Sequence, residues 1–217
     1  MEKSIMLKKI QQGFQGYSQL VNKEIRYVYK NTGEYEEIIL KAKKDDFMHL
    51  CGVKYLNPQD KRNVSAKHFY SLVESNKISS SYLIEKMDGT TELKLNVIVN
   101  LKELLTSNIR IVDRQVTFSN NFTADKTLRS RREIFALALK SEGQNTNKYS
   151  PLSLLNLKTT KNALLNGSHE VECIYFIDRT QEIHIYHETA SYQKFRIHKE
   201  FTELEKKYKE KEKTDAM

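Results

Sequence analysis

Cysteine is almost missing from this sequence. Cys51 and Cys173 stand far apart, with no CxxC and no His-x-x-x-His pair beside them. That argues against a disulfide framework and against a zinc site, and it fits a reducing cytosol. Glycine-rich phosphate loops are missing too: there is no GxGxxG and no Walker loop, so nucleotide-dependent transfer has no support. No Gly-x-Ser-x-Gly elbow occurs, which disfavours a serine hydrolase. Acidic clusters suited to Mg²⁺ are lacking. The nearest, Asp45-Asp46, reads as a helix cap. His184 and His187 fall in or at the end of a predicted strand and make a poor metal pair. The expectation is therefore no metal and no cofactor. No apolar run reaches the roughly 18 residues of a membrane helix. The N-terminal MEKSIMLKKIQQ has no signal-peptide core, so the expectation is a cytoplasmic chain without a membrane partner.

Positive charge is in surplus, with 36 Lys and Arg against 28 Asp and Glu for a formal charge of +8. Such a surface favours polyanions, RNA or another nucleic acid first, although charge alone names no ligand. A length of 217 residues is enough to bury a proper core.

Along the chain, apolar positions from Met6 to Val21 repeat at three and four and predict a helix over 4–22, which Gly13 and Gly16 weaken. Ile25–Tyr29 and Tyr35–Leu40 predict a hairpin through Asn31-Thr32-Gly33. Ser65 is placed to cap a helix over 66–74, and Ser79–Ser81 another that carries Tyr82–Ile84. Residues 91–105 fit either alternating strand or helix, and length favours helix. Short strands follow at 109–112 and 115–118. Glu133–Lys140 is predicted as a strand with Phe135, Leu137 and Leu139 on one face and Ala136 and Ala138 on the other. A strand over Pro151–Leu157 and a hairpin of 171–178 with 183–187 complete the sheet. Residues 198–213 read as a charged helix, a solvated face or a partner helix.

The predicted fold class is α+β: helices mainly in the N-terminal half, packed on a mainly antiparallel sheet in the C-terminal half, with a charged C-terminal helix. Its predicted parts are an N-terminal helix over 1–22, an α+β domain over 23–190, and a charged C-terminal helix or tail over 191–217.

Three stretches carry possible chemistry. In Asp45–Tyr55, Phe47, Leu50 and Val53 lie at helical spacing and anchor a short turn. His49 and Lys54 are left at its rim, and Gly52 permits a left-handed exit. A lone histidine can equally be a packed, hydrogen-bonded one. In 123–132, Lys126, Arg129, Arg131 and Arg132 face only Asp125 nearby in sequence and read as a loop that seats phosphate, or else as a solvated strand entry. In 149–153, Pro151 sets the chain direction where a strand begins, and Ser153 points to the same side as Pro151. Its hydroxyl can hold a phosphate oxygen, or it is an ordinary strand-start serine.

Phe47-x-His49-Leu50-x-Gly52 resembles a segment of the phage-borne barnase/EndoU/colicin/RelE-like nuclease family. Ala124-Asp125-Lys126 and Tyr149-x-Pro151-x-Ser153 resemble that family's later motifs in the same order. Leu154-Leu155 departs from it, standing where aromatics are expected. The resemblance implies a sheet-based, metal-independent endoribonuclease of phage or mobile-element origin, with a toxin role and an antitoxin or other protein partner among its expectations. It matches His49, Asp125, Lys126 and Ser153, of which His49, Lys126 and Ser153 are expected to be catalytic. Lys54, Arg129, Arg131 and Arg132 are then nucleic-acid contacts, and Gly52, Asp125 and Tyr149 support them. The alternative is a non-catalytic nucleic-acid- or protein-binding module of a mobile element, such as a host-defence inhibitor. A structural protein assembling through its charged C-terminal helix ranks third.

Overall fold

A computed structural model describes residues 1–118, 122–159 and 165–199 of the chain. In order, the elements are α1 (Lys3–Tyr17), β1 (Glu24–Asn31), β2 (Glu34–Lys41), α2 (Asp46–Cys51), β3 (Val53–Tyr55), α3 (Ala66–Glu74) and β4 (Leu83–Glu85). There follow α4 (Thr90–Ile98), a 3-10 turn (Leu101–Leu105), β5 (Ile109–Val112), β6 (Val116–Phe118), β7 (Phe122–Ala124) and β8 (Lys126–Ser130). β9 (Phe135–Ser141), β10 (Lys148–Asn156), β11 (His169–Ile177) and β12 (Ile183–Glu188) come next. Residues 190–199 are helical and are called α5.

The large sheet runs β1-β2-β10-β9-β8-β5-β11, and β11 returns to β1, so seven strands close into a barrel. β12 continues along β11 where β5 leaves off. Every pairing of the barrel is antiparallel except β2 with β10, which run parallel for two residue pairs only. Beyond Tyr149 the two strands part, and α2 and α4 pack against β10 in the opening, with α1 against α4. Barrel interior and helices therefore share one apolar core, from Met6 and Ile10 through Phe47 and Leu95 to Leu128, Leu137, Leu154 and Ile174.

Gly16 lets α1 lie against the 3-10 turn: a Cβ there would stand 2.5 Å from Lys102 N. A second, smaller cluster covers the outer face of β8–β10, where Ala136 and Ala138 lie under Val116, Phe118, Leu157 and Leu165. The predicted alternation of β9 is thus observed, and its small residues do lie beneath a close-packed layer.

Several expectations hold. The β1–β2 hairpin turns through Thr32 and Gly33, both at positive φ. Ser65 caps α3 by accepting from His68 N at 3.2 Å, and residues 91–105 are helical through most of their length. Others are corrected. The first helix stops at Tyr17. Apart from α5, which falls in the segment read as a C-terminal helix or tail, the helices do lie in the N-terminal half, but the sheet is not confined to the C-terminal half, since β1 and β2 belong to the barrel. The sheet is closed and contains a parallel pair, so it is not simply antiparallel. Ser80–Tyr82 is one 3-10 turn, after which Leu83–Glu85 pairs with β3 instead of continuing as helix. The supposed basic loop is mainly strand β8, held between β5 and β9 with Thr127 and Leu128 fully buried. β10 begins three residues before Pro151, which is tolerated beside a β-bulge between Pro151 and Ser153. The helix expected over 198–213 lies largely outside the described residues.

Candidate active site

Helix α2 is short and fixed from one side. Phe47 and Leu50 are fully buried, each contributing about 2–3 kcal/mol by burial. The Phe47 ring stacks on Tyr17 at 5.0 Å and meets Phe14 edge-on at 5.6 Å. Asp46 Oδ2 ties the helix start by accepting Lys43 N at 2.9 Å. With that face inward, His49 falls on the exposed side of the last turn. Gly52 ends the helix in the left-handed region (φ 67°) and donates its N–H to His49 O at 3.0 Å.

A second requirement at Gly52 comes from α4. A Cβ on residue 52 would stand 2.9 Å from Lys94 Cδ and 3.2 Å from Thr91 Cα. This approach lets Thr91 Oγ1 donate to Gly52 O while it accepts Lys86 N at 2.9 Å. Lys94 Nζ then reaches the carbonyl of His49 at 3.1 Å. Lys86 Nζ lies 3.4 Å from His49 Nδ1. An ammonium only donates, so Nδ1 is the acceptor, and the ring proton sits on Nε2. A hydrogen bond to the Leu152 carbonyl at the β10 bulge favours the protonated ring.

Lys94 is 6% exposed. Burial, reinforced by the Lys86 charge, brings its pKa down to about 8. Loss of hydration also lowers the His49 pKa below the ordinary histidine value, and Lys94 and Lys86 push it the same way. The result is an imidazole neutral at neutral pH beside two lysines. That combination suits accepting a proton next to a phosphate.

Other predicted positions separate. Lys54, on β3 opposite Ile84, lines a groove of about 490 Å³ together with Lys86, Met87 and Asp88, so His49, Gly52 and Lys54 share a neighbourhood. Ser153 does not point with Pro151. The bulge reverses the alternation, pairing Ser153 with outward Ala138 and Leu154 with inward Leu137. Lys126 faces the barrel mouth and pairs with Asp113, whose other oxygen is 3.4 Å from Asn31 Nδ2. Its strand position is two strands from Pro151, about 10 Å away. Asp125 ties strands together: it accepts Ser141 N and Gln115 Nε2, both at 2.9 Å, and pairs with Lys140. These partners, the Ser141 N–H first, hold its carboxyl below the usual range. Tyr149 is buried in the core, which raises its pKa. Arg129 is engaged by Glu133 and Ser168, and Arg131 stands 3.7 Å from Glu170. Arg132 is exposed on the turn after β8.

Lys94 and Lys86 belong to none of the three stretches that the sequence singles out. Thr91, Lys94, Leu95 and Ile98 all lie buried on one face of α4. A lysine within that i, i+3, i+4, i+7 set was a legible signal of a buried charge. The alternating-strand pattern that competes over 91–105 sets Lys94 on the face away from Leu93 and Leu95 and so masks it.

A family model described as phage-Barnase-EndoU-ColicinE5/D-RelE like nuclease4 matches residues 9–216. The chain belongs to this family. Membership points to a nuclease-type function and a nucleic-acid substrate, and it matches the family suspected from the three short motifs. Comparisons with curated proteins and with solved structures give no match. Among the described residues no helix is long and apolar enough to cross a membrane.

Proposed function

We propose that this member of the nuclease family is a metal-independent endoribonuclease of phage or mobile-element origin, acting as a toxin, with His49 at its centre. The observation that carries the proposal is the buried Lys94 ammonium seated on the carbonyl of His49, within the motif that resembles the family. In this reading the substrate displaces Lys86 from Nδ1. Neutral His49 takes the proton of a ribose 2′-hydroxyl, O2′ bonds to phosphorus, and the bond to the 5′-oxygen breaks as that oxygen gains a proton from the Lys86 ammonium. A 2′,3′-cyclic phosphate and a 5′-hydroxyl result. Lys86 stabilises the charge that builds on the phosphoryl oxygens, and Lys94 holds the turn that presents the ring and helps keep the imidazole neutral. Lys54 guides the strand along the adjoining groove. Ser153 and Lys126 stand outside this centre.

Chelator-insensitive cleavage of end-labelled RNA tests the proposal. His49→Ala should lower the rate at least about a hundredfold, and unchanged cleavage by that variant rules the centre out. A second reading, a binding module without catalysis, draws support from the guanidinium groups of Arg110, Arg129 and Arg131 gathered on the outer face of the barrel.

A further inference from the structure

Arg110 on β5 and Arg129 on β8 are cross-strand neighbours on the outer face of the barrel, in line with Ala136 and Leu155. Both direct their guanidinium groups at Ser168. Arg110 donates from Nε to Ser168 Oγ at 2.9 Å and from Nη2 to Ser168 O at 2.7 Å. Arg129 donates from Nε and Nη2 to the same Oγ at 3.2 and 2.9 Å. Three N–H groups thus crowd one hydroxyl oxygen that has two lone pairs. Glu133 takes Arg129 Nη1 at 3.0 Å, while Glu170 takes Arg110 Nη1 at 2.9 Å and lies 3.7 Å from Arg131 Nη2. Three guanidinium groups therefore face two carboxylates, and Glu170 is 61% exposed, so its pairs hold it weakly. Beside them a cleft of about 130 Å³ opens, where Arg110, Arg131, Glu170 and His187 meet the apolar Ile109 and Val171.

A weakly held carboxylate at the rim between two arginines occupies the place that an oxyanion from outside would take. A phosphodiester offers two unesterified oxygens, each able to accept more than one N–H, and matches the guanidinium fork. The cleft is small, with room for one phosphate beside its two arginines.

We propose that this cleft is a phosphate subsite holding a backbone phosphodiester of single-stranded RNA between Arg110 and Arg131, with Glu170 as the carboxylate it displaces. The proposal rests on nucleic acid being the ligand of this chain, and it is independent of His49 chemistry.

The test uses the full chain and a fluorescent single-stranded RNA carrying 2′-O-methyl riboses throughout, which removes the internal nucleophile. Binding is followed by anisotropy over a range of salt. Arg110→Gln with Arg131→Gln should weaken binding roughly tenfold and lower the slope of log affinity against log salt by about 0.7. Glu170→Gln should tighten binding, a gain that misfolding cannot produce. Unchanged binding by the double variant, or weaker binding by Glu170→Gln, overturns the proposal. Inorganic phosphate that protects the cleft in wild type, while the double variant binds RNA normally, would make it a free-anion site and equally overturn it. Because the oligonucleotide cannot be cleaved, failure here is distinct from failure of His49→Ala to abolish cleavage.

Discussion

Lys94 and His49 meet through the backbone: the Lys94 ammonium donates to the carbonyl of His49 at 3.1 Å, so a charge sits directly behind the helix turn that presents the ring. The folded pKa of Lys94, about 8, lies below its ordinary 10.5. Between those values the unfolded chain binds more protons than the folded one, so this group makes stability rise with pH across that window. The difference corresponds to about 3 kcal/mol. Lys94→Met should abolish that part of the rise and be neutral or stabilising near pH 7, where the buried charge costs most. Urea unfolding of both proteins at either end of the window reads the difference directly. Parallel pH dependences would show that Lys94 is not desolvated.

The His49 ring should titrate below the usual histidine value of 6.5. Below 6.5 and above the folded pKa the unfolded chain carries the extra proton, so this group's contribution is full above 6.5 and is lost as pH falls through the folded pKa. The acid limb of the cleavage profile should accordingly lie below 6.5. Lys86→Gln should move both the ring pKa and that limb upward, because it removes a nearby positive charge. Proton NMR of the ring checks the first point and a pH–rate profile the second. A ring that titrates at 6.5 or above contradicts the proposed environment.

Gly16→Ala should destabilise the protein. Helix propensity alone predicts a gain of about 1 kcal/mol. The new methyl, however, would meet the Lys102 backbone nitrogen at 2.5 Å, and a backbone atom cannot rotate away. Overpacking of this kind costs about 1–3 kcal/mol. A lower denaturation midpoint is expected, and a higher one would mean that α1 and the 3-10 turn are not in close contact.

Local chemistry was written in the sequence wherever neighbours in the chain decide it. The Asn31-Thr32-Gly33 turn, the Ser65 cap, the alternation of β9 and the Phe47/Leu50 anchor of α2 all follow from period and side-chain type. So does the exposed position of His49, which the anchored residues leave on the outer side of the turn. The closing of the barrel was not legible, because β11 pairs with β1 across two thirds of the chain, Val28 opposite Cys173. Nor was the face that Ser153 takes, which one bulged residue inverted. Counting charges from 126 to 132 suggested a free phosphate seat. Tertiary structure instead gave Lys126 to Asp113 and Arg129 to Ser168 and Glu133. It also brought Lys94 beneath His49 from 45 positions away. A side chain's partners depend on which distant strands and helices pack together, and period and composition carry no record of that pairing.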